Sequence, residues 1–295
     1  MCDKPDLTPD LKKRLIYSKY FLERAKSLLR QGNELASAEA VLVAHDSAEM
    51  LMSVVADRLG VNLTRNFMAF WDIVKKETQA EPPSKNTMDR LNKLRVGFKH
   101  AGNLPHPSVV TDVMPGVIAF CEELAHRYLG LNYKDVSLAD LILNAEACDK
   151  VKEAERARAA GDVAAALLAL GIAFDKLHDE ARKTHHSGLI EQGYWDRLGH
   201  VRGADRYARQ LAGALKLDEL MKPVQQLIDT MNMVLLGIEP AKFRRFSEIT
   251  PVRMYMQSGK LYHRLQRPPD KVPREDLDFC YEFVIDFGLR LVASS

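Results

Sequence analysis

Leu11, Leu15, Leu22 and Leu29 stand four, seven and seven residues apart, a spacing that a helix gathers onto one face. Thr8-Pro9 supplies the start of that helix, so it is expected over 8–30. The same period recurs along most of the chain. A second long helix is predicted from about Ser37 to Leu59, stopped by Gly60, and a short one over 67–76 ahead of the break Glu81-Pro82-Pro83-Ser84. Ser84, Asn86 or Thr87 can cap the next helix, which Gly102, Asn103 and Pro105 end. The Pro-containing stretch 105–115 reads as a loop, Val117 to Leu129 as a helix, Leu138 to Ala160 as an Ala-, Glu- and Arg-rich helix, and 163–183 as an apolar helix. Only near the end does the period change. Val252, Met254 and Met256 alternate with polar residues, as do Leu261, His263 and Leu265, so 251–266 is expected to be a β-hairpin before a closing helix over 274–292.

The two halves echo one another. Ala25 and Gly32 are spaced like Ala154 and Gly161, each glycine leads into an alanine-rich helix, and 89–98 resembles 229–238 with Asp, Asn and Gly in register. The expected fold is therefore all-α: two related helical bundles, 1–137 and 138–295, the second carrying the small hairpin.

Composition narrows the function classes. Lys plus Arg total 42 against 40 Asp plus Glu, so net charge neither requires nor excludes a nucleic-acid partner. Cys2, Cys121, Cys148 and Cys280 form no CxxC pair and no disulfide framework, and the N-terminus lacks the apolar core of a signal peptide; a cytoplasmic chain is expected. The longest apolar run, Val163 to Phe174, is too short to span a membrane. The chain has no GxxxxGK[ST], GxGxxG or GxSxG, and no cofactor is expected. His178, His185 and His186 cluster without the HExxH or cysteine partners of a zinc site, so no metal is expected either.

Arg95 and His100 offer the clearest chemistry. Cleavage of RNA by its own 2′-hydroxyl needs a group that takes and gives protons near neutral pH, which histidine does, and a fixed positive charge for the phosphorane, which arginine supplies. Leu91, Leu94, Phe98 and Ala101 mark the buried stripe, with Arg95 beside it and Asn92 and Lys99 one turn away. Residues five apart on a regular helix diverge by ~140° and ~7.5 Å along the axis. Joint action therefore requires a loosening at Gly97, an early helix end, or a second domain or chain.

The phrase Leu91-Asn92-Lys93-Leu94-Arg95-Val96-Gly97-Phe98-Lys99-His100-Ala101-Gly102 resembles the HEPN superfamily, whose signature is Arg, four to six residues, then His. The resemblance implies an α-helical bundle, often dimeric, acting as a metal-independent RNase of defence, toxin or RNA-processing systems that leaves 2′,3′-cyclic phosphate ends. Arg95 would then stabilise the phosphate and His100 would be the acid–base residue. Active members usually carry a polar residue, often Asn, after the arginine, where this chain has Val96. The alternative is a non-catalytic helical module that binds RNA, a nucleotide or a partner protein. Asn92, Lys99 and His106 are candidate substrate contacts. So are Arg244, Arg245, Arg253, Lys260 and Arg264 in the basic stretch 242–274, where Phe243, Phe246, Tyr255 and Tyr262 offer stacking surfaces or pack inward.

Overall fold

Thr8 Oγ1 accepts a hydrogen bond from the Leu11 amide at 3.4 Å and Pro9 opens the helix, so α1 (Pro9–Leu29) begins where its sequence places the cap. The computed structural model describes residues 7–184, 227, 229–231, 233–255 and 261–294. The chain divides into two units, Met1–Leu138 and Ala139–Ser295. Its class is all-α, as the helical period predicts.

In the first unit, Gly32 takes φ +70° and Asn33 caps α2 (Glu34–Leu59) by accepting the Ala36 amide at 2.8 Å. α2 packs against α1, α3 (Ala69–Thr78), α4 (Lys85–Ala101) and α5 (Pro107–Leu124). Its small residues Ala36, Ala40, Ala44, Ser47 and Ala48 are buried and let neighbouring helices come close. Leu22, Leu51, Trp71, Met88, Leu91 and Phe120 fill the core, and each such side chain taken wholly from water contributes on the order of 2 kcal/mol. Trp71 stands edge-on to Phe70 at 5.4 Å and donates its Nε1 proton to the Pro83 carbonyl at 2.9 Å. Inside this apolar packing, Ser18 Oγ donates to the Ser47 carbonyl at 2.9 Å and Ser47 Oγ to the Ser18 carbonyl at 2.7 Å, while Tyr133 Oη lies 2.8 Å from Ser18 Oγ. These bonds fix the register of α1 on α2.

α5 is a correction to the sequence reading. It begins at Pro107, ahead of the expected loop's end, with Pro115 inside the helix. Pro107 suits the first helical position, and Val110, Val113, Met114 and Val117 are all buried, so tertiary packing overrides the interruption that Pro115-Gly116 suggests. Gly116 is required by contact: a Cβ there would meet Thr87 Cγ2 at 2.6 Å.

In the second unit the predicted helix over 138–160 is shorter. Leu138–Leu141 is a 3-10 turn, and α6 (Ala145–Ala159) starts only where Asn144 Oδ1 accepts the Ala147 amide at 2.9 Å. Gly161 at φ +77° and Asp162, which accepts the Ala165 amide at 2.9 Å, then start α7 (Val163–Thr184), repeating the device that joins α1 to α2. The other echo does not hold its register. Gly97 lies inside α4, whereas Gly237 has φ +70° and ends its helical segment, as Gly102 at φ +69° ends α4.

α8 (Pro240–Ile249) precedes β1 (Val252–Tyr255) and β2 (Leu261–Arg264), which pair antiparallel with Val252 opposite Arg264. The expected turn at Ser258-Gly259 lies outside the described residues. α9 (Arg274–Ser294) closes the unit. Its Phe283 and Phe287 gather with Phe246 around Phe174, at centroid distances of 5.9, 5.1 and 4.8 Å. Among the described residues, no helix is long and apolar enough to cross a membrane.

Candidate functional site

α4 runs unbroken to Ala101. Gly102 closes it with its N–H on the Phe98 carbonyl at 3.0 Å, and the Asn103 amide reaches Gly97 O at 3.2 Å. Neither Gly97 nor an early end therefore bends His100 toward Arg95. The two residues occupy different faces. Asn92, Arg95 and Lys99 share one, by their spacing of three and four. His100 shares another with Val96, whose exposure of 43% is high for a valine. His100 itself is exposed, and neither it nor the half-buried Arg95 makes a hydrogen bond or ion pair among the described residues. The apolar stripe fades along the helix: Leu91 is buried, Leu94 and Phe98 are half-buried, and Ala101 is exposed.

The face bearing Arg95 meets a cluster on α2 that the sequence reading did not single out. His45 is wholly buried, and its Nε2 lies 3.3 Å from Asn92 Oδ1. Its Nδ1 lies 3.6 Å from Glu49 Oε2, which is ion-pair distance for a charged ring but too long for a hydrogen bond. The ring packs on Phe67 with centroids 4.1 Å apart. Asp46 sits beside them at the surface without a hydrogen bond or ion pair among the described residues.

The charges in this cluster act on one another. Burial pushes the Asp46 carboxyl above its ordinary value and the Glu49 charge adds to this, while His45, Arg95 and Lys99 oppose it. The His45 imidazole holds the Glu49 carboxyl below its ordinary value, against burial and with help from Arg95 and Lys99. Arg95 and Lys99 thus stand in the field of two carboxylates without touching either. One sequence signal was present: His-Asp-x-x-Glu is a charged interruption in an otherwise alanine- and valine-rich helix.

The remaining candidates are dispersed. His106 caps α5, its Nδ1 accepting the Ser108 amide at 3.3 Å and lying 2.8 Å from Ser108 Oγ. In the second unit, Arg245 pairs with Asp276 at 2.7 Å and stacks over Phe279 at 4.2 Å, and Lys242 pairs with Glu239 at 2.7 Å. Arg244 and Arg264 are exposed, Arg253 pairs in β1 with His263 of β2, and Lys260 lies outside the described residues. Phe246 is core rather than a surface for bases, stacked on Phe283 at 4.4 Å. His178 stacks on Phe174 at 5.5 Å, with its Nε2 3.9 Å from Asp229 Oδ1, while His185 and His186 lie outside the described residues.

No protein-family model matches the chain, and no curated protein or solved structure matches it.

Proposed function

We propose that the chain is a HEPN-type RNA-processing or defence protein, a metal-independent endoribonuclease in which Arg95 holds the scissile phosphate and His100 moves the protons. The observation that carries this reading is the state of the pair. Arg95 keeps its fork uncommitted beside Asn92 and Lys99, and His100 is exposed one turn beyond, on a helix rigidly capped at Gly102.

Because the two side chains leave α4 in different directions, the site is completed by a second copy of the chain. The arginine of one protomer then faces the histidine of the other. His100 would accept the 2′-hydroxyl proton and return it to the leaving 5′-oxygen, while Arg95 offsets the charge of the phosphorane. Location in the cytoplasm accords with this role.

The reading predicts RNA cleavage that survives EDTA and leaves 2′,3′-cyclic phosphate ends. Arg95→Ala and His100→Ala should each lower the rate at least a hundredfold, in line with the loss of an acid–base group or an oxyanion donor. Undiminished cleavage by both variants would rule it out.

Val96 favours a second reading. It stands directly after Arg95, where active members of the family usually carry a polar residue, and a chain without that residue suits a module that binds RNA, a nucleotide or a partner protein without turnover. RNA binding that weakens steeply with salt, with no product formed, would select this alternative.

A further inference from the structure

We propose that His45, Asp46 and Glu49 form a site at the edge of α2 that meets α4, with His45 buried and Asp46 and Glu49 open to solvent, for one divalent transition-metal cation of the zinc class. One potential ligand atom from each residue lies within 4.8 Å of the other two. On a helix, Glu49 falls about 40° from His45 and Asp46 about 60° further on, so all three leave the same sector.

The buried imidazole is the second observation and points independently to a cation. His45 Nδ1 is buried and has no hydrogen-bond partner, yet it is aimed at Glu49 Oε2, 3.6 Å away. With Asn92 Oδ1 facing Nε2 at 3.3 Å, the tautomer that completes this hydrogen bond carries its proton on Nε2. In the neutral ring, Nδ1 then presents a lone pair to a carboxylate oxygen. Nδ1 and the Glu49 oxygen are drawn together by positive charge between them, the same influence by which the imidazole lowers the Glu49 carboxyl, and a metal cation held by both supplies that charge with two ligands already in place.

The His45–Glu49 pair fits such an ion directly, and the Asp46 oxygen, placed to within 4.8 Å of both, joins by rotation of its exposed side chain. Zinc binds nitrogen and carboxylate oxygen at about 2.0–2.2 Å, which sets neighbouring ligands roughly 3–4 Å apart, and the His45–Glu49 separation of 3.6 Å falls in that range. A ligating histidine that donates its other N–H to an oxygen is the usual way such a ring is oriented, and Asn92 supplies that oxygen here. The Glu49 side chain is 44% exposed and Asp46 is at the surface, so an ion can enter and keep water in its remaining positions. Arg95 and Lys99 approach but make no ion pair with either carboxylate, which leaves the oxygen lone pairs available. Their positive charge opposes every dication alike, and the imidazole ligand is what favours a borderline ion over magnesium or calcium.

This inference does not depend on RNA cleavage, because its readout is metal binding alone. The full chain, stripped with chelator and titrated with Zn2+ by calorimetry, should take up one equivalent at this site. Glu49→Gln and Asp46→Asn should each weaken binding at least about tenfold. The double variant should lose the equivalent while keeping its helical circular dichroism. Zn2+ should also raise the Tm of the unaltered chain and leave that of the double variant unchanged. Co2+ substituted at the site should give a spectrum without a thiolate charge-transfer band. Absence of stoichiometric binding, an equivalent retained by the double variant, or a thiolate band would each overturn the proposal.

Discussion

Asp46 and Asp175 follow the residues that cap their helices, Asn33 and Asp162, by the same interval, yet their surroundings differ. Asp175 Oδ2 lies 2.7 Å from His263 Nε2, whereas Asp46 has no hydrogen bond or ion pair among the described residues. The second unit uses its carboxylate to hold the β-hairpin on α7. The first leaves its carboxylate beside Arg95 and Lys99.

This contrast separates two substitutions. His263→Ala should destabilise the protein by about 1–3 kcal/mol, since it removes a partly buried hydrogen bond to a charged group. Asp46→Asn should change stability by less than about 0.5 kcal/mol, as expected for a surface side chain without partners. Chemical denaturation of the two variants in chelator-treated buffer checks both. A larger loss from Asp46→Asn would show that its carboxylate is structural.

Gly116→Ala tests how closely α4 and α5 approach. The added methyl would stand 2.6 Å from Thr87 Cγ2 and 3.3 Å from Thr87 Cβ, so rotation of the threonine cannot fully relieve the clash. A loss of about 1–3 kcal/mol is expected, against the gain that alanine normally brings to a helix interior. The double variant Gly116→Ala/Thr87→Ser should recover part of it.

Tyr133→Phe should cost about 1–2 kcal/mol, because it removes the phenol from the buried pair formed with Ser18. Ser18→Ala should cost at least as much, since its hydroxyl also serves the Ser47 carbonyl. A double-mutant cycle measured by denaturation would give the coupling between them.

Alkaline pH should weaken the fold through buried acids. Burial pushes the Cys121 and Cys280 thiols from 9.0 up to about 12, and it drives the Tyr133 phenol well above its ordinary value. A raised folded-state value favours the neutral form in the fold. The contribution is therefore intact below about pH 9 and is lost as pH rises toward 12, at about 1.4 kcal/mol per pH unit for each group that deprotonates only on unfolding. Midpoints of urea denaturation between pH 8 and 11 would show the slope, which should flatten in Cys121→Ala. Iodoacetamide at pH 8 should modify the half-buried Cys148 in the native chain and spare Cys121 and Cys280, as read by mass spectrometry of peptides.

The helices were legible wherever local signals and burial agree. Thr8-Pro9 starts α1, Gly60 ends α2 and Gly102 ends α4, because caps and left-handed glycines act within a few residues. Pro115-Gly116 misled because the local rule is correct and yet is outweighed by the buried face of α5 and by the contact with Thr87. The good helix formers on both sides of Asn144 extend the expected helix back to Leu138, whereas the Asn144 side chain caps α6 and starts the helix there. The motif helix directed attention to Arg95 and His100. His45, Asp46 and Glu49 share α2, and their spacing is visible in the sequence, but that spacing does not tell that Asn92, Arg95 and Lys99 of another helix will face them.

The unbroken course of α4 has a consequence for mixtures of inactive proteins. If each reaction centre borrows its histidine from the opposite protomer, Arg95→Ala and His100→Ala chains, each inert alone, should regain cleavage when combined and allowed to exchange partners. The mixed pair would keep one intact centre and lose the other. Every productive dimer in such a mixture would work at a single end.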